Sequence, residues 1–342
     1  MTLKHYTIPV FIPELACPFQ CVFCNQQKIS GHQNIPDEQE IRQTITDHLN
    51  SFKHKERTVE VGFFGGSFTG IPSDEQKHYL EIVQPFIKNG EVQAIRLSTR
   101  PDYISEEILN VLKKYGVSTV ELGAQSMDDD VLKKSFRGHT ARQTEQASDM
   151  IRQHGFELGL QMMIGLPGDT LEKALYTARK IISLGASNTR IYPALVIKDT
   201  AMHKWFDEGT YTPLSMEEAV RWTKQILPLF EDAGVTVLRV GLHPSEGLLS
   251  GDELVAGPFH PSFKELVLTE IWYDKLKPLT DEKKGEKLTV YVPKKELSYA
   301  VGYEAKNKKM PLEKFREVTF IIDSSIQERN FKFSISQLNN CK

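Results

Sequence analysis

One pattern repeats along most of this chain. A short run of β-branched, aromatic and leucine residues is followed by a loop, then by apolar residues at helical spacing. Strand patterns fall at residues 6–12, 58–64, 94–98, 118–123, 156–163, 188–193 and 235–240. Helical spacing covers residues 36–52, 73–87, 105–115, 170–184 and 215–232, with further helices up to residue 154. Strand, crossover helix and next strand make a parallel pair. The chain therefore predicts a parallel sheet covered by helices. Six or more such units favour a full or partial (β/α) barrel over an open sheet, and no longer repeat is present. Such barrels place their chemistry at the C-terminal strand ends.

The distinctive residues gather at those ends. Cys17, Cys21 and Cys24 follow the first strand, Gly65-Gly66 the second and Ser98-Thr99-Arg100 the third. Gly123-Ala124-Gln125-Ser126 follows the fourth, Gly165-Leu166-Pro167-Gly168 the fifth and Tyr192-Pro193 the sixth. Turn chemistry explains each singly, but not their shared position on one rim. Three of the four cysteines lie within eight residues at C-x3-C-x2-C spacing. Clustered thiolates suit an iron–sulfur cluster or zinc. A cubane cluster wants four ligands and this loop offers three, which leaves one iron open. A structural zinc would need His5 or His32 as its fourth ligand. The loop is too tight for easy disulfides, and three cysteines leave one unpaired.

The cysteine spacing, with Phe23 just before the third cysteine, resembles the radical S-adenosylmethionine (SAM) superfamily. That resemblance implies a partial (β/α) barrel of the radical SAM type and a [4Fe–4S] cluster held by Cys17, Cys21 and Cys24. The open iron binds the amino and carboxylate groups of SAM, and one electron cleaves it to a 5′-deoxyadenosyl radical. Phe63-Phe-Gly-Gly-Ser-Phe-Thr69 resembles the superfamily's Gly-Gly-Glu motif, with Ser67 in place of the acid. This implies that Gly65, Gly66 and Ser67 face the SAM amino group. Gln125 and Arg137, twelve residues apart, resemble the SAM-contacting pair of the oxygen-independent coproporphyrinogen oxidase branch. An arginine there can fork onto the methionine carboxylate. Ser98 stands where relatives often carry a ribose-binding acid, and Tyr192 joins the implied SAM contacts.

A longer resemblance, from Pro9 to Asp232, is to the radical SAM domain of the Elongator catalytic subunit. It rests on Ser98-Thr-Arg-Pro-Asp-Tyr103, Arg137-Gly-His-Thr140, Leu166-Pro-Gly168 and Arg190-Ile-Tyr-Pro-Ala-Leu-Val-Ile-Lys-Asp-Thr200. The chain departs from it in its compact cysteine spacing. It also leaves no room for the acetyltransferase domain, so acetyl-CoA chemistry does not carry over. Lys198 matches a position in the Elongator active site and is a candidate substrate contact. His243, just before a Gly/Pro-rich closing loop over residues 244–261, and Glu246 within that loop are candidate acid–base groups.

Charge is uneven. Residues 1–262 carry a net −7, residues 263–316 a net +4, and the remainder balances at zero. This predicts a barrel domain over 1–262 with its closing loop, and a small basic α+β domain over 263–342 that is the better polyanion contact. Strands at 287–293 and 317–323 flank a segment that resembles the KH domains of the transcription factor NusA. There a Gly-x-x-Gly loop clamps nucleic-acid phosphates. Here the loop is Gly302-Tyr-Glu-Ala305, with Lys306, Lys308 and Lys309 beside it. The alternative is a βααβ cap that only packs.

Three functions follow. The first is a radical SAM enzyme that modifies RNA (tRNA or rRNA), served by an electron donor such as flavodoxin or ferredoxin. The second acts on a small molecule such as a tetrapyrrole. The third is a non-enzymatic RNA-binding protein with structural zinc. No run of eighteen apolar residues indicates a membrane span. The start of the chain lacks a signal-peptide pattern, so a reducing cytoplasm is expected, with Cys341 as a dispensable fourth thiol.

Overall fold

The computed structural model describes residues 4–12, 21–25, 35–54, 56–282 and 285–336. Cys17, His32 and Cys341 lie outside the described residues. The chain divides into two compact units, Met1–Ala219 with Ile226–Pro261 and Val220–Gln225 with Ser262–Lys342.

The first unit begins β1 (Lys4–Ile12), α1 (Glu38–Ser51), β2 (Arg57–Gly65), α2 (Ser73–Lys88), β3 (Ala94–Thr99), α3 (Glu106–Lys114) and β4 (Val117–Gln125). It continues α4 (Asp129–Lys134), α5 (Ala141–Gln153), β5 (Glu157–Ile164), α6 (Leu171–Ser183), β6 (Asn188–Pro193), β7 (Val196–Ile197) and α7 (Ala201–Asp207). Last come α8 (Met216–Asp232), of which Val220–Gln225 is assigned to the second unit, β8 (Thr236–Val240), α9 (Glu246–Ser250) and β9 (Leu254–Ala256). The main sheet runs β1-β2-β3-β4-β5-β6-β8, parallel throughout. Neighbours follow chain order and β1 and β8 stand at opposite edges, which is the partial (β/α) barrel expected.

Side-chain chemistry sets the element ends. Asp37 starts α1 through a capping box with Glu40, and Thr140 and Ser215 do the same for α5 and α8 with Gln143 and Glu218. One face of α1 buries Ile41, Ile45 and Leu49, each contributing about 2 kcal/mol when fully removed from water. In the strands, alternate residues such as Ile8, Val10, Val59, Val61, Ile95, Leu97, Val120 and Leu122 form the buried apolar face. The intervening positions carry Glu60, Arg96, Glu121, Gln161 and Arg190.

Two stretches without a long periodic pattern in the sequence are ordered. Residues 193–212 contain β7 and α7, and residues 244–261 contain α9 and β9, with β7 and β9 paired antiparallel. At two to seven residues these elements are too short for periodicity to register. Thr200 nonetheless caps α7 by accepting from His203 N.

The second unit contains α10 (Phe263–Glu282), β10 (Gly285–Val292), α11 (Leu297–Val301), α12 (Lys306–Lys309), β11 (Phe315–Ile322) and β12 (Lys332–Ser336). The β–α–α–β reading holds from β10 to β11, which pair in parallel. Two elements go beyond it: the long helix α10, and β12, which adds an antiparallel edge. Trp272 and Leu276 of α10 pack on Leu288, Val290, Val292, Phe315 and Val318.

Candidate active site

The described part of the cysteine loop is a tight turn, with Cys24 N donating to Cys21 O at 2.9 Å. It is fastened from two sides. Val22 N donates to Ser135 O at 3.2 Å, just after α4, and Met202 N of α7 donates to Val22 O at 2.8 Å. Cys21, Val22 and Phe23 are buried with Val131, Leu166, Met202 and Tyr211, and Cys24 and Trp205 pack against them. Arg137 is buried and donates from Nη1 to Cys21 Sγ at 3.3 Å and from Nη2 to Gly123 O at 2.6 Å. Arg100, bidentate to Asp102, donates to Arg137 O at 2.7 Å and fixes its backbone. The expected fork onto a free carboxylate is thus partly taken up by Cys21 and Gly123. Arg137 Nε is buried without a partner among the described residues.

Gln125 ends β4 with φ +64°, where the β4–β5 register shifts, and its Oε1 is buried without a described partner. Gly123 lies beneath both groups. A Cβ there would stand 2.8 Å from Arg137 Nη2 and 3.2 Å from Gln125 Nε2. On the other side, Gly65 has φ +114°, and a Cβ would stand 2.7 Å from Ile12 O. Gly66 N donates to that same carbonyl at 3.0 Å. Gly66, Ser67 and Ser98 line one small hollow with Phe63, Phe64 and Phe68. The structure therefore brings Cys21, Arg137 and Gln125 together as one group, and Gly66, Ser67 and Ser98 as another.

The concave face holds charges that the sequence reading did not single out. Arg96 pairs with Glu60 at 2.6 Å and Glu121 at 2.7 Å, and Arg190 grips both oxygens of Glu121 at 2.7 and 3.0 Å. Gln161 bridges Glu121 and Ser98 at 3.0 and 3.2 Å. Burial alone would raise the Glu121 carboxyl, but bonds and charge from Arg190 and Arg96 hold it below the ordinary range. Burial raises the Tyr192 hydroxyl. His139 is driven down to about 3, by burial first and then by the Arg137 charge, so a neutral imidazole stands in this region. The available signal was a single charge within the apolar run of β2, β3, β4 and β6.

The remaining candidates sit apart. Lys198 is exposed, anchored by its backbone N to Glu253 O at 3.0 Å. Glu246 is exposed at the start of α9. His243 is exposed and takes a bond from Arg239 rather than from another candidate. His5 pairs with Glu60 at 3.6 Å. It lies seven residues before the rim end of β1, roughly 20 Å along the strand, so it is no ligand for a metal at Cys21. Among the described residues no three His, Cys, Asp or Glu side chains cluster as a metal site.

In the second unit Gly302 has φ +86°, and Glu304 and Ala305 follow at +51° and +59°. Asn307 is buried and donates to Thr269 O at 2.9 Å. Lys306 pairs with Glu270 and lies 5.0 Å over the Tyr273 ring, so it is engaged inside the unit. Lys308 and Lys309 are exposed.

Comparison with known proteins adds the following. The sequence pattern of the radical SAM superfamily matches residues 12–181, and that of the radical SAM C-terminal domain matches residues 187–273. The tRNA uridine(34) acetyltransferase of Methanocaldococcus infernus is 25% identical over 263 residues, 65% of this chain and 49% of that one. The heme chaperone HemW of Bacillus subtilis is 25% identical over 240 residues, 70% of this chain and 62% of that one. The solved structure of M. infernus Elp3 with an N-terminal deletion superposes with a TM-score of 0.65 at 21% identity, covering 80% of this chain and 64% of that one. The last likeness speaks for the fold. The chain spans about half the length of the first of these relatives.

Proposed function

This chain belongs to the radical SAM superfamily, and we propose that it cleaves S-adenosylmethionine in order to modify RNA. Members of the superfamily bind a [4Fe–4S] cluster and SAM, which together supply hydrogen-abstracting radical chemistry. In this chain Cys17, Cys21 and Cys24 would hold the cluster, and Phe23 would pack beside it. The observation that carries the reading is the unsatisfied polar group next to Cys21. Arg137 Nε and Gln125 Oε1 are buried donor and acceptor without described partners, and such groups are costly unless a ligand meets them. An amino acid's carboxylate and ammonium fit that donor and that acceptor. Gly66 lines the neighbouring hollow, where Ser67 and Ser98 offer hydroxyls, Gly65 lets the end of β2 pass close to Ile12 O, and Tyr192 lies near the end of β6.

The RNA assignment rests on relatives whose names place them on tRNA, and on the KH-like loop with Lys308 and Lys309 exposed beside it. Flavodoxin or ferredoxin is the expected electron donor. No helix of the described residues is long and apolar enough to cross a membrane, and we place the activity in the cytoplasm. A tetrapyrrole substrate is the second reading, favoured by the greater coverage of the heme chaperone match. Nucleoside mass spectrometry of total RNA from a deletion strain separates the two. A lost modified nucleoside would name substrate and product together. An unchanged RNA profile would remove the RNA reading and put the tetrapyrrole first.

A further inference from the structure

The two arginines at the end of the sheet are treated differently. Arg190 of β6 and Arg239 of β8 are register partners, so their side chains leave the same face of adjacent strands. Arg190 is neutralised by two bonds to Glu121. Arg239 donates to Gly241 O at 3.2 Å and to His243 Nδ1 at 3.0 Å, and no carboxylate among the described residues pairs with it. Its charge is felt by Tyr192. Like charges side by side are unfavourable, and one of the two, on the edge strand β8, has no carboxylate partner among the described residues.

The partner groups have one chemical sense. Because His243 Nδ1 accepts from a guanidinium, its ring is the neutral tautomer with the proton on Nε2. Burial and the Arg239 charge both lower its proton affinity, which keeps that state. Two residues on, Ser245 Oγ is buried without a described partner. Arg239, His243 Nε2–H and the Ser245 hydroxyl therefore offer donors, a set that suits an acceptor-only anion. His243 is then a positioning donor rather than a base through Nδ1.

We propose that Arg239 and His243 form an oxyanion subsite at the open edge of the barrel, which anchors a phosphate or carboxylate of the substrate. This deepens the reading above and rests on it in one respect only, that substrate approaches the concave face. Glu121 cannot serve Arg239 as well, since its oxygens already meet Arg190, Arg96 and Gln161.

The test is calorimetric titration of the cluster-loaded full chain with pyrophosphate at constant ionic strength, without SAM turnover. Wild type should bind, and Arg239→Gln should weaken binding by about tenfold or more, as expected when a charge-assisted hydrogen bond is removed. Arg239→Lys should recover most of that loss, and His243→Phe should fall between. Lys133→Gln, an exposed change elsewhere, should leave pyrophosphate affinity alone. Equal affinity in wild type and Arg239→Gln, or no binding to wild type, would overturn the subsite. Competition names the source of the anion. Displacement by a short oligoribonucleotide assigns a phosphodiester, and displacement by coproporphyrin assigns a carboxylate. Displacement by neither would overturn the substrate role. None of these outcomes depends on which nucleoside is modified, so failure here is separable from failure of the RNA reading.

Discussion

In the barrel, Glu60, Arg96 and Glu121 are 3%, 5% and 0% exposed and bonded to one another, whereas the C-terminal unit keeps its lysines in water around an apolar core. Buried charge is retained only where geometry is well matched, because desolvation opposes it. The barrel's network therefore marks a place where polar groups are held in fixed positions. Lysines standing in water act over distance and without fixed geometry, which suits a polyanion approached through its phosphates. On the RNA reading proposed above, the first unit would supply a shaped component of recognition and the second a diffuse one.

The sharpest way to break this comparison is at Glu121. Glu121→Ala would strand Arg190 and part of Arg96, and should destabilise the barrel by about 3–5 kcal/mol in denaturant unfolding. A loss under about 1 kcal/mol would mean that the network is open to water and not a framework. Next in size, Arg137→Ala should weaken SAM binding by about 1.5–3 kcal/mol, since it removes a charged donor beside Cys21. Unchanged SAM affinity by equilibrium binding would remove Arg137 from the site.

In the C-terminal unit the expected effects are smaller. Ala305→Gly should stabilise it by about 1 kcal/mol, because a Cβ at φ +59° is strained and glycine is not. A thermal shift in the opposite direction would show that the loop's conformation is worth less than the entropy glycine adds. Smallest is the pair Lys308→Gln and Lys309→Gln. Neutralising a lysine that meets a phosphate should reduce the logarithmic salt slope of RNA affinity by about 1. A slope identical to wild type would leave the C-terminal unit as a structural cap. Lys306 belongs outside this test, since Glu270 already holds it.

Legibility followed the kind of signal. The strand–helix order and the open barrel were readable because each long element carries its own period and cap, as Asp37 and Ser215 show. The rim was readable because glycine and cysteine punctuate it. The network was not, since a glutamate inside Thr58-Val-Glu-Val-Gly62 looks the same whether it meets water or Arg96. Only the sheet, by curving, brings Arg190 of β6 over β5 to Glu121 of β4. Lys306 could not be told from its neighbours for a similar reason. Three lysines near a loop look equivalent in sequence, and a helix-borne glutamate distinguishes one of them.

Both backbone groups of Val22 are bonded to protein, to Ser135 on one side and Met202 on the other. The turn from Cys21 to Cys24 is thus tied to the residue that follows α4 and to the first turn of α7. Two elements far apart in the chain share its placement, so a disturbance of either one would reach thiols that it does not touch.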